Sequence, residues 1–350
     1  MILGRPRTIN PDDCDLRTPM DCNIPKDPST TVPMTLENTG NRDMPNSVSA
    51  NLFLHQLSGM FHTMKALKAD KPYPKDYSVV QGLHSQVNAI LDGVPPTLRH
   101  ENPDTSWDSQ YPSLIQQRED ILTKANLFFM ALHRPHIVTH AESRRAALQA
   151  AIVTLESQHR SFAQMHPHHY KLFSLSFYTI DASILLSIVA GMYQPLKNEI
   201  MSNVDRVLRQ AMDRLELMEA HSAMAKSGLG IVQRCYQKLK DCCEDASRRT
   251  TSGTTSAELP SFSPLELEDF RQGLNDQCFT IYSHQQQQKE SQTDPYSHSG
   301  GMDLESMMGE VSESTTDFDE SYWMGLINQI PAAPVSSTNF DGVWDSLLFD

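Results

Sequence analysis

Three sets of residues in this 350-residue chain have types and spacings that could do chemistry. Asp12, Asp13 and Asp15 could hold a divalent cation, but they follow Pro11 in a Pro-rich stretch and share no inward helical face. His133, His136 and His140 form the second set, and His166, His168 and His169 the third. Histidines one helical turn apart are a metal-ligand arrangement. Pro135 interrupts the one set and Pro167 the other, and no carboxylate stands at ligand spacing to close either. Both sets therefore read as surface or interhelix histidines. The six cysteines (Cys14, Cys22, Cys235, Cys242, Cys243 and Cys278) contain no CxxC pair, which argues against a zinc ribbon or a dithiol redox motif. Cys242 and Cys243 lie between Asp241 and Glu244, neighbours that raise a thiol pKa rather than lower it. GxSxG, HExxH, a phosphate-binding loop and GxGxxG are all missing, and Gly228-Leu229-Gly230 lacks a third glycine and a preceding strand. No residue earns a catalytic, cofactor or metal role.

The elements that would position these residues are helices. Residues 1–45 carry seven prolines between Pro6 and Pro45 and read as irregular. Periodicity then begins. Leu52, Leu57, Met60, Phe61, Met64 and Leu67 mark a face over 48–69, and Val79, Val80, Leu83, Val87, Ile90 and Leu91 another over 76–93, with Asp76 as N-cap. A helix over 113–133 turns Leu114, Ile115, Ile121, Leu122, Ala125, Phe128, Phe129 and Leu132 inward, and Pro135 stops it. Further helices are expected over 139–164, 170–193, 197–221 and 223–246. The stretch Leu172–Tyr193 is long enough to span a bilayer, yet Asp181 stands at its centre among five Ser and Thr residues. A mid-bilayer Asp costs about 2.5–3.5 kcal/mol on insertion scales, so the stretch reads as a helix buried in a bundle, with Asp181 partnered. No alternating strand appears. The fold class expected is all-α: a bundle-like body over 46–246 behind an irregular Pro-rich N-terminus.

Charge divides the chain more sharply than hydropathy does. The net charge is −14, and residues 290–350 hold twelve Asp and Glu with no Lys or Arg. That leaves −2 for residues 1–289, a near-neutral body that argues against a nucleic-acid clamp built on bulk charge. Residues 247–300 form a Ser/Thr/Gln-rich linker, with a short helix expected near 263–274, and 301–350 an acidic tail in which disorder is expected. Two of the three tryptophans lie in this tail. Asp317, Phe318, Asp319, Glu320, Tyr322, Trp323, Met324, Leu326, Ile327 and Ile330 form one cluster, and Phe340, Asp341, Val343, Trp344, Asp345, Leu347, Leu348, Phe349 and Asp350 another. Carboxylates keep such a segment from collapsing on itself. Its bulky groups fall on one helical face when it meets an apolar groove. Phe318, Trp323, Leu326, Ile327, Phe340, Trp344, Leu347 and Leu348 are the expected coactivator contacts. The alternative is a terminal amphipathic helix that docks on its own bundle.

The segment Gly4-Arg5-Pro6, Ile9, Asp13, Asp15 and Pro19 resembles the GRP…I…DxD…P stretch of the fungal-specific transcription factor domain, the middle homology region of fungal binuclear zinc-cluster regulators. Leu132-His133-Arg134-Pro135 is similar to the LHRP segment of the same domain. Arg144–Ala151 is similar to the helix that follows it, without the usual cysteine. The resemblance covers about 1–245. It implies a pathway-specific activator in the nucleus, serving secondary metabolism or nutrient use, with transcription coactivators as partners. It also implies dimers, with itself or with a full-length regulator. The six-cysteine zinc cluster of that family is not in this sequence. No cofactor is therefore expected here, zinc would enter only with such a cluster, and DNA would be reached only through an absent or partner module. No membrane partner is expected. The competing readings are a truncated helical interaction protein or decoy regulator without DNA binding and, more remotely, an all-α enzyme of the terpene-synthase type. Against the last, the DDCD spacing misses DDxxD.

Overall fold

The computed structural model describes residues 20–22, 26–33, 45–46, 48–71, 76–192 and 198–251. The expected GRP segment, the linker and the acidic tail, with all eight expected coactivator contacts, lie outside the described residues. Within them the protein is all-α: α1 Ser49–Ala66, α2 Ser78–Asp92, α3 Ser113–His133, α4 Ala141–Ala163, α5 Phe173–Met192, α6 Asn198–Met218 and α7 Ala223–Thr251. There is no strand among the described residues.

Local chemistry sets several of the boundaries. Asn46 Oδ1 accepts from the backbone N–H groups of Val48 and Ser49 at 2.8 Å each, capping α1, and its amide donates to Asp21 at 2.8 Å. The N-cap position of α2 falls on Tyr77 rather than on Asp76, which instead accepts from the N–H of Ser78, the first helical residue, at 2.9 Å. After α1 the chain reverses through Lys68, whose φ of 55° is left-handed. That reversal puts Leu67 in solvent at 54% exposure, not on the apolar face its spacing suggested. Ile115 is likewise 40% exposed in the first turn of α3, where no helix packs over it. α7 continues to Thr251, past the break expected at Ser247, with Arg248 paired back to Glu244 at 3.6 Å.

The α3 and α4 helices form an antiparallel hairpin, pinned by Thr123–Ser157 midway along α3 and by His133–Ser143 at the turn. α5 lies at the centre, against α3, α4, α6 and α7, and is buried continuously from Tyr178 to Met192. Its length and composition would suit a membrane crossing, but here protein surrounds it. It approaches α7 closely because Gly228 leaves a slot filled by Ile180; a Cβ at 228 would collide with that side chain. One core joins α1 to α7, and a smaller apolar cluster of Ala50, Val94, Leu98, Leu114 and Ile121 sits beneath the loop after α2.

Candidate functional site

The Leu132-His133-Arg134-Pro135 segment closes the α3–α4 hairpin, and each of its residues has a distinct task. Leu132 is fully buried. Pro135 lies within the 3-10 turn Arg134–His136, which ends α3. Arg134 reaches over α5, where its Nη2 stands 2.8 Å from both carboxylate oxygens of Asp181. The carboxylate expected to be buried and partnered is so. His136 places a ring nitrogen 2.8 Å from the carbonyl of Ala69, which the Lys68 reversal turns toward it.

His133 is 3% exposed and hydrogen-bonded on both sides. Its Nδ1 lies 2.9 Å from Ser143 Oγ, which lies 2.7 Å from Tyr77 Oη. Its Nε2 lies 2.8 Å from His84 Nδ1. Donation can run from Tyr77 to Ser143 to His133 to His84 or the whole way back, and either relay keeps both imidazoles neutral rather than charged. Burial drives this choice. It pushes His133 down to about 3, with His84 and His136 adding repulsion. Burial also lowers His84 and His136 and raises Tyr77. Aromatic contacts close the corner: His140 stacks on Tyr77 at 3.8 Å and His84 on Phe129 at 4.4 Å. The sequence readings did not single out Tyr77, His84 or Ser143; the approach of α2 to the hairpin brings them together.

This corner contains a serine and a histidine at hydrogen-bond distance, the first requirement of an activated nucleophile. Ser143 is fully buried, and the third partner is a neutral imidazole rather than a carboxylate. The arrangement joins α2, α3 and α4. A surface depression of about 490 Å³ lies elsewhere, lined by Asn198, Glu199, Ser202, Asn203 and Arg206 at the start of α6.

The other sequence candidates fall as follows. His166, His168 and His169 lie at the surface or half-buried, stacked among themselves. Among the described residues no group of three or more His, Cys, Asp or Glu could hold a metal. Cys22 and Cys235 are free thiols. Burial pushes Cys235 up to about 12 and raises Cys243, so neither is a ready thiolate. Asp12, Asp13, Asp15, Cys14 and Cys278 lie outside the described residues.

Buried charge is concentrated on three further residues. Arg118, 6% exposed, donates to the carbonyls of Thr97 and Asp104 and to both oxygens of Asp108, at 2.6–3.0 Å, and so clamps the loop between α2 and α3. Glu119, 5% exposed, accepts from Arg160 and Ser157 on α4. Arg214 on α6, 3% exposed, has only Nη1 bonded, to the carbonyl of Gln210 at 3.2 Å.

No protein-family model matches this chain, and no curated protein or solved structure matches it either.

Proposed function

We propose that the chain is a nuclear transcription regulator. Its helical body serves regulation, and the segment 301–350 recruits coactivators. The observation that carries the reading is the interleaving of carboxylates with Phe318, Trp323, Leu326, Ile327, Phe340, Trp344, Leu347 and Leu348 after a near-neutral body. A segment of that composition stays soluble through its charge and binds through its apolar groups once a groove is offered. Burying a large side chain contributes about 1.5–3 kcal/mol, whereas an exposed charge pair contributes about 0–1 kcal/mol. The apolar groups therefore supply the affinity, and the acids speed encounter with a basic partner surface. The LHRP segment adds support from the body: its arginine and histidine are spent on holding the hairpin against α2 and α5, a structural role suited to a regulatory scaffold.

The test fuses 302–350 to an unrelated DNA-binding domain and reads a reporter. Activation is expected, and Trp323→Ala with Trp344→Ala should reduce it more than Asp317→Asn with Asp345→Asn. An inert fusion rejects the proposal. The chain itself should shift DNA only weakly and in a salt-sensitive way.

A further inference from the structure

Tyr77, Gln81 and His84 stand four and three residues apart, a single stripe along α2, and each meets the α3–α4 hairpin through a polar atom. Tyr77 meets Ser143 at 2.7 Å, Gln81 donates to Glu142 at 2.7 Å, and His84 meets His133 at 2.8 Å. The apolar hold beneath them is small: within α2 only Val80, Leu83 and Val87 are buried. The hairpin and α5 are joined to one another without α2, through Thr123–Ser157, Glu119–Arg160 and Arg134–Asp181. The contact at His84 is the one that protonation can break. One extra proton is accommodated: His84, protonated on both nitrogens, donates through Nδ1 to Nε2 of His133, and the relay runs on to Tyr77. A second puts N–H groups on both facing nitrogens, donor against donor across 2.8 Å, with two positive rings and no acceptor between them. Nothing around the pair offsets that charge. α2 has no charged residue before Asp92 at its end, α3 has none from Ala125 to Leu132, and α1 has only Lys65 besides the histidines His55 and His62. Arg134 is paired with Asp181, and Arg144, Arg145, His136 and His140 bring positive charge or none. The carboxylates of this corner are engaged, Glu142 by Gln81 and Asp70 by Lys65. Burial lowers the pKa of both rings, His84 and His136 lower His133 further, and no carboxylate raises either.

We propose that α2 is an acid-released strap: it docks on the hairpin through the His84–His133 contact while the two rings carry at most one extra proton, and it leaves when both are charged, with α3 to α7 still folded. Once released, the rings titrate near the ordinary imidazole value of 6.5; docked, both are held below it. The released form therefore binds more protons below pH 6.5, so docking is complete above that pH and weakens as the pH falls. Departure of the strap uncovers the apolar surface beneath Val80, Leu83 and Val87 and opens the His133–Ser143 end of the hairpin to solvent. The device concerns the body alone and stands whether or not 301–350 recruits a coactivator.

Hydrogen exchange on the full chain at pH 7 and pH 5, corrected for the intrinsic rate at each pH, reads the release directly. An imidazole that is neutral when docked and free when released weakens docking by up to about 25-fold over that interval. Protection over 78–92 should fall by about 25-fold or more, while protection over 147–155 on α4 and 180–190 on α5 changes by less than about threefold. A parallel fall in all three would make the opening global, and no fall over 78–92 would leave the strap docked; either overturns the proposal. His84→Gln and His133→Gln each keep a hydrogen-bonding side chain at the contact and remove a titrating ring. The fall over 78–92 should therefore shrink at least about threefold in each. An unchanged fall in either variant assigns the release to other groups and rejects the proposal too. Should His133→Gln not fold, His84→Gln, at the half-buried ring, carries the comparison alone.

Discussion

The corner around His133 and the seam around Arg214 bury polar groups to the same depth and treat them in opposite ways. At the corner, neutral groups hand hydrogen bonds from one to the next, and the arginine of the same turn, Arg134, meets Asp181. At the seam a full charge is buried with two donors unmet. The contrast with Arg118 is sharper still, because there the same side chain, equally buried, meets three acceptor groups. Depth of burial alone therefore does not say what an arginine contributes; its acceptors do.

The largest effect should come from breaking the pair at the corner. Asp181→Ala leaves Arg134 facing an apolar helix and should destabilise by about 3–5 kcal/mol, read from urea unfolding. A loss under about 1 kcal/mol would show that Arg134 simply swings to solvent. Next comes the comparison of the two arginines. Arg118→Met should cost about 3 kcal/mol, through the Asp108 carboxylate and the carbonyls left unpaired, whereas Arg214→Met should be neutral or stabilising. Equal losses would erase the distinction drawn here.

The smallest effect is a pH dependence. His133 titrates near 6.5 when unfolded and is held down at about 3 when folded. The unfolded chain therefore binds more protons below pH 6.5. The stability from the neutral ring is complete above that pH and is lost progressively as pH falls toward about 3. Between pH 6.5 and 5 the loss should reach about 2 kcal/mol from His133 alone. His133→Gln should flatten that slope; an unchanged slope would assign the dependence to other groups.

Much of the fold was legible because helices such as α1, α2 and α3 carry apolar faces at helical spacing, and because Pro135 and Gly93 punctuate them. Asp181 was legible as a buried, partnered group, since a lone carboxylate in an apolar run has few other fates. Its partner was not, because Arg134 stands 47 residues earlier and meets it only through the α3–α4 turn. Arg214 left a signal that went unread: it lies seven residues after Val207, on the stripe of Val204, Val207, Leu208, Ala211, Leu215 and Met218. The Tyr77–Ser143–His133–His84 chain left none, for its members come from three helices and no spacing links them.

The slot at Gly228 acts as a mechanical key. Ile180 seated in it fixes the axial register of α7 on α5. A slip of one turn, about 5.4 Å, would set Met224 or Val232 against Ile180 instead, and neither leaves room. Because α7 cannot creep along its neighbour, the point at which the chain leaves Thr251 has a fixed origin in the body.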